Sequence, residues 1–256
     1  MSGLTASSTL HLPPLCLARN AVHLWLACID VSSAELEALS ETLVEDEHER
    51  AGRFRFKRDR SRFIAAHGIL RYLLSRYLNI VPVALIFRYG HAGKPAIAKL
   101  ATTLRFNLWH AGGWALYAIG RDRELGVDIE PLEDSVPWSE LTPMVFSGAE
   151  QSELKACRVE ERPAAFLRGW TRKEAYIKAR GEGLSLPLKR FDVPLGPEQN
   201  PVPIHTTRDR ATAPRWWLYP IDAPTGYIAA LVTEGAPASL SYRRWPGSSV
   251  STGLAA

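Results

Sequence analysis

The chain is poor in cysteine. Cys16, Cys28 and Cys157 are its three thiols, and no two stand in a CxxC pair. This argues against a disulfide framework and fits a reducing compartment with buried or idle thiols. Long apolar runs are missing too. None approaches the ~18 residues that a membrane span needs. The first twenty residues lack a basic n-region, and Pro13-Pro14 interrupts their apolar positions. No signal peptide is therefore expected, and the expected location is the cytoplasm. GxSxG, Walker A and GxGxxG are absent, which removes support for the usual hydrolase, P-loop and Rossmann readings. His11, His23, His48, His67, His91 and His205 show no metal-ligand spacing and read as structural or exposed.

What is present is ordinary in bulk and uneven in charge. Hydrophobic residues make up 46% and charged residues 23% of 256 positions, as in a soluble globular protein with a substantial core. The net charge is only +4. Nine Lys or Arg face one acid, Asp59, between Arg50 and Arg76, whereas ten acids face four bases between Arg121 and Glu160. The first region invites anions and the second could hold a cation. A basic run is commonly just a solvated face. Nothing beyond it suggests nucleic acid.

Periodicity divides the chain. Residues 1–20 read as a flexible leader, 21–122 as one α+β half, 123–236 as a second, and 237–256 as a tail with a disordered end. Val22–Ile29 reads as a strand, Ala34–Leu43 and Asp46–Arg53 as helices, and Arg60–Tyr77 as a long amphipathic helix. Ala84–Tyr89 reads as a strand and Gly90–Pro95 as a loop. Strands are expected at Arg105–Trp109, Trp114–Ile119 and Leu125–Ile129, followed by a proline-containing connection at Pro131–Pro143. Ser147 is placed to cap a helix through Leu154, and Pro163 to start one over Ala164–Ala179 before Gly181. Trp216–Pro220 and Tyr227–Val232 resemble a closing hairpin. Each half thus embeds one long helix among strands, which suggests two similar units.

Two stretches carry chemistry. In Gly126-Val127-Asp128-Ile129-Glu130, the acids at i and i+2 share one strand face, ~7 Å apart. Two such carboxylates repel unless something positive lies between them, and a Mg2+ ion would serve. A strand end with two exposed acids is the bland reading. In Trp170-Thr171-Arg172-Lys173-Glu174-Ala175-Tyr176-Ile177-Lys178, Glu174 and Lys178 lie one helical turn apart, with Trp170 extending the row. This makes a poor core face and a good wall for a polar cleft. A surface ion pair is again the bland alternative. Lys173 points elsewhere and reads as a solvated charge.

Jointly these motifs resemble those of the surfactin-synthetase-type (Sfp-type) 4′-phosphopantetheinyl transferases. Gly126–Glu130 matches the family's Gly-Val/Ile-Asp-x-Glu. Trp170–Lys178 matches its Trp-x-x-Lys-Glu-Ala/Ser-x-x-Lys, and Gly181-Glu182-Gly183-Leu184-Ser185-Leu186-Pro187-Leu188 its continuation. Gly93-Lys94-Pro95, Arg105–His110 and the Phe146/Glu150 pair resemble further family segments, and similarity runs from about Val22 to Glu234. One departure stands out, since Trp109 occupies the place where the family usually has Ser.

The resemblance implies an α+β fold of two similar subdomains related by a pseudo-twofold, with a cleft between them. It implies a monomeric enzyme of the holo-[acyl-carrier-protein] synthase type. Such an enzyme moves 4′-phosphopantetheine from coenzyme A to a serine of an apo acyl or peptidyl carrier protein and releases 3′,5′-ADP. Implied for Mg2+ are Asp128, Glu130 and Glu174, with Glu174 or a water it orients as base and Glu150 as runner-up base or water-mediated ligand. Asp128, Glu174 and Lys178 form the implied catalytic set. Lys178 is implied to face the pyrophosphate. Lys94, Pro95 and His110 are implied on the coenzyme, with Arg62 and Arg50 as further cations. A non-catalytic coenzyme A- or carrier-protein-binding module is the alternative, and a water-using phosphodiesterase a third reading.

Overall fold

The computed structural model describes residues 14–133, 136–197, 200–204 and 215–247. The far leader (1–13), the end of the tail (248–256), His11 and His205 lie outside them. The first half opens with β1 (Ala21–Cys28), α1 (Ser33–Ser40), α2 (Glu45–Gly52) and the long α3 (Lys57–Leu78). The short hairpin β2 (Ile86–Tyr89) and β3 (Pro95–Ala98) follows, then the hairpin β4 (Leu104–Ala111) and β5 (Trp114–Arg121). The second half contains β6 (Leu125–Pro131), α4 (Trp138–Val145), α5 (Gly148–Ala156), α6 (Arg162–Arg180), β7 (Val202–Ile204), β8 (Trp216–Ile221) and β9 (Tyr227–Glu234). The last strand among the described residues is β10 (Ser239–Arg244).

The strands form two four-stranded sheets, ordered β10-β1-β5-β4 and β6-β9-β8-β7, beside the β2-β3 pair. The topology repeats. In each half a first strand, a long helix and a hairpin occur in that order, and the hairpin's second strand lies antiparallel beside the first strand (β1 with β5, β6 with β9). The mixed α+β expectation and the two similar halves are thus present.

Alternation builds four layers. Trp25, Ala27, Ala115, Tyr117 and Ile119 face α3, where Ile69, Leu70, Leu73 and Leu74 bury the helix's apolar stripe. Val22, Leu24, Leu116 and Ala118 face the opposite way and meet Leu125, Val127, Ile129 and Leu231 of the second sheet. The second sheet's outer face carries Ala230 and Val232 against Ala175, Tyr176 and Ala179 of α6. The order is helix, sheet, sheet, helix, and strands buried on both faces read as nearly continuous apolar runs.

Several elements differ from the sequence expectation. The supposed tail supplies β10, which pairs in parallel with β1 and so returns to the first sheet. Its residues Ser239-Leu240-Ser241-Tyr242-Arg243-Arg244 alternate weakly and lie far from their partner in sequence, so no local signal announces them. The near end of the leader is packed, with Leu17 in the α3 core and Leu15 against it. Residues 138–143 of the expected connection fall within α4, Pro143 included. β3 and β7 are short strands that pairing, rather than pattern, creates.

Candidate active site

β6 sets the geometry. Leu125, Val127 and Ile129 face the first sheet, so Gly126, Asp128 and Glu130 face the opposite side, toward α6. At Gly126 an added Cβ would lie 2.2 Å from both the Ala175 carbonyl oxygen and the Ala179 nitrogen. The helix can rest directly on the strand only because that side chain is missing. α6 itself ends at Gly181, whose left-handed φ of 66° closes the last turn. The contact brings Lys178 onto Asp128, where its ammonium pairs with Oδ1. Glu174 lies one turn back on the same face.

The first half supplies the rest through β4. Asn107 Oδ1 accepts a hydrogen bond of 2.8 Å from the Val127 amide and so ties β4 to β6. Trp109, two residues on, donates from Nε1 to Glu130 Oε1 at 3.3 Å. The Lys178 ammonium lies 3.2 Å from the centroid of the Trp109 ring. A cavity of about 250 Å3 opens here between the halves, lined by Lys94, Pro95, Asn107, Trp109, Glu174 and Lys178 together with Ala92, Gly93, Gly181 and Gly183.

Burial dominates the electrostatics. Asp128 is fully buried. Burial pushes its carboxyl up to about 7 against the pull of Lys178. Burial also raises Glu130 and Glu174 and lowers Lys178. Asp128 thus feels the charges of Glu130 and Glu174 as well as the Lys178 ammonium. His110, next along β4, is lowered to about 4 by burial and then by the charges of His67 and Lys178, so it is neutral at physiological pH.

This corner suits a hard cation. Asp128 Oδ2 is buried and has no hydrogen-bond partner, and an acceptor left so would gain from a positive ligand. Among the described residues no three His, Cys, Asp or Glu side chains are already gathered as a cage. Lys178 stands among the acids instead. The donors are all carboxylate oxygens, the chemistry that Mg2+ favours.

The other sequence candidates fall in distinct places. Lys94 and Pro95 line the cavity, but the three donors of the Lys94 ammonium go to Glu124 Oε2 at 2.7 Å and to the carbonyls of Leu125 at 3.1 Å and Ala179 at 2.9 Å. Arg62 is held by both oxygens of Asp30 at 2.7 Å. Arg50 lies outside the cavity lining, packed against the rings of Phe63 and Tyr89. Glu150 is corrected outright as a base or ligand. It is buried, accepts from the Ser147 and Val193 amides at 2.8 Å, and pairs with Lys173 at 2.8 Å. Lys173 is no solvated charge, being fully buried in that pair. Trp170 packs against the core formed with Phe146 and Phe166 instead of walling the cleft. Asn107 and Glu124 were not singled out from sequence. A polar Asn amid the apolar run of β4 was the available signal for the first.

Comparison with known proteins fits this geometry. The pattern of the 4′-phosphopantetheinyl transferase superfamily matches residues 124–232. That of the 4′-phosphopantetheinyl transferase N-terminal region matches residues 30–120. A 4′-phosphopantetheinyl transferase of Nostoc, HetI, is 35% identical over 225 residues, covering 87% of this chain and 92% of its own length. The chain belongs to the 4′-phosphopantetheinyl transferases. The Sfp transferase of Bacillus subtilis is 32% identical over 166 residues, 64% of this chain and 72% of its own. AcpT of Salmonella typhi is 43% identical over 111 residues, 43% of this chain and 56% of its own. The two matched regions of this transferase meet at the cavity, which takes Lys94, Asn107 and Trp109 from one and Glu174 and Lys178 from the other. Among the described residues no helix is long and apolar enough to cross a membrane.

Proposed function

We propose that the chain transfers the 4′-phosphopantetheinyl group of coenzyme A to a serine hydroxyl of an apo acyl or peptidyl carrier protein. The serine oxygen forms a bond to the β-phosphorus, the pyrophosphate P–O bond breaks, and 3′,5′-ADP leaves. The observation that carries this reading is the cavity between the halves, which Glu174, Lys178 and Trp109 line, with buried Asp128 paired to Lys178 and Glu130 bonded to Trp109. Asp128, Glu130 and Glu174 are the residues that would hold Mg2+, which supplies positive charge to the pyrophosphate when bound.

The chain's own groups do the remainder. Lys178, already at the cavity wall, presents a compact charge to non-bridging oxygens, where charge builds in phosphoryl transfer. Burial raises Glu174, which suits it to receive the serine proton directly or through an oriented water. Neutral His110 can donate one hydrogen bond to a phosphate oxygen. Pro95 and the Lys94 stem shape the cavity wall, and Arg62 and Arg50 add positive potential from α3 and α2. The full holo-[acyl-carrier-protein] synthase assignment, action as a monomer and a cytoplasmic location belong to the same proposal.

The test is the mass of an apo carrier protein after incubation with the chain, coenzyme A and Mg2+. A gain of one phosphopantetheinyl group is expected, and its loss with a chelator. Unchanged carrier mass with coenzyme binding retained would return the binding-module reading. Coenzyme cleavage without any carrier would return the phosphodiesterase.

A further inference from the structure

Trp109 is an unusual residue for a cavity wall. The residue is 39% exposed, so burial does not account for its position. It makes two polar contacts, and both are to groups of the proposed chemistry. The indole face underlies the Lys178 ammonium at 3.2 Å from ring centroid to nitrogen. The indole N–H donates to Glu130 Oε1 at 3.3 Å. A lysine has four rotatable methylenes and a strong hydration shell, and an ion pair to one carboxylate oxygen leaves most of that freedom in place. An aromatic face beneath the ammonium removes it, because the quadrupole attracts the cation and the ring excludes water from one side.

We infer that Trp109 is a positioning residue that holds Lys178 and Glu130 in the orientation transfer requires. The geometry shows how. β4 is tied to β6 by Asn107, and Trp109 follows two residues later on the same strand face. The ring is therefore set relative to Asp128 and Glu130 by backbone pairing. Lys178, arriving from α6, is gripped between that ring and Asp128. A serine here would offer neither the face nor the reach. This inference rests on the transfer reading for its kinetic consequence, though not for the contact itself.

Two measurements test it. The first needs no turnover. In protein labelled at its lysine ε-methylenes, the Lys178 signal, assigned by its absence in Lys178→Met, should be displaced upfield by the indole ring current. The displacement should persist in Trp109→Phe and vanish in Trp109→Leu. An ordinary Lys178 shift in the parent chain would overturn the inference whether or not the protein is a transferase.

The second is a mutant cycle on carrier modification. Trp109→Leu should lower kcat about tenfold while changing the KM for coenzyme A less, and Trp109→Phe should recover part of the loss. In the Lys178→Met background, Trp109→Leu should cost less than in the parent, since only its hold on Glu130 is left to lose. Fully additive losses, or a kcat for Trp109→Ser at or above the parent's, would mean that the indole only crowds the pocket. Failure of the parent chain itself to modify any carrier would strike the proposed function and leave the resonance test standing.

Discussion

Lys173 and Lys178 are five residues apart on α6, and their surroundings give them opposite jobs. Lys173 is fully buried, donates to the Leu188 and Phe191 carbonyls at 2.7 and 2.8 Å, and lies 4.4 Å from the Phe191 ring centroid. With Glu150 it pins the start of α5 and the 188–193 segment to α6. Removing one member of a buried pair strands the other, so Lys173→Met should cost about 3–5 kcal/mol in urea unfolding. Adding Glu150→Gln should restore part of that. If Lys173→Met leaves stability unchanged, the pair is not structural. Asp128 is the chemical counterpart, with one oxygen on Lys178 and one unsatisfied. Asp128→Asn keeps the shape and removes the charge. Carrier modification should fall about a thousandfold or more, ~4 kcal/mol of barrier, with circular dichroism unchanged. Near-normal transfer would take Asp128 out of the site.

At the scale of elements, the site depends on the seam between β6 and α6. Gly126 is its closest point, with backbone atoms of α6 where a Cβ would go. Gly126→Ala must push the helix off the strand. A cost of about 1–3 kcal/mol is expected from such overpacking, together with a loss of transfer larger than the loss of folded protein. Unfolding and carrier mass, measured on the same sample, separate the two. The element boundaries that sequence resolved best are those with local causes. Ser147 caps α5 by accepting from the Glu150 amide, Gly181 ends α6, and the apolar period of Arg60–Tyr77 lies inside α3. β3, β7 and β10 have no such cause and were not legible. They exist because a partner strand satisfies their backbone groups.

At the scale of the molecule, β10 returns a segment from beyond the second half to the first sheet. It covers the edge of β1, and Trp245 donates to Glu35 in α1 at 3.1 Å. A chain ended at Ala236 should lose cooperative unfolding or aggregate, since an exposed edge strand invites pairing with other chains. A truncated protein that stays monomeric with an unchanged melting profile would refute this. Acid stability is a second global property. His23 on β1 meets the Tyr77 hydroxyl of α3 at 2.6 Å, and burial, then the charge of Arg243, lowers it to about 4. The unfolded chain takes up this proton near pH 6.5, whereas the folded chain refuses it until about pH 4. The His23 contribution is thus complete above pH 6.5 and lost as pH falls to about 4. His23→Gln should show a smaller drop in urea midpoint between pH 7 and pH 4 than the parent.

The sequence by itself determined the reagents. Two acids at i, i+2 on a strand and an acid and a cation at i, i+4 on a helix are consequences of backbone repeat, and local order is enough to read them. Tertiary structure alone decided their partners. It chose Lys178 over Lys173 for Asp128, turned Glu150 into the core, gave the Lys94 ammonium to Glu124 and set an indole beneath the cation. Those choices follow from packing between segments up to 85 residues apart, where what a side chain meets depends on sheet register and helix contact and no longer on its neighbours in the chain.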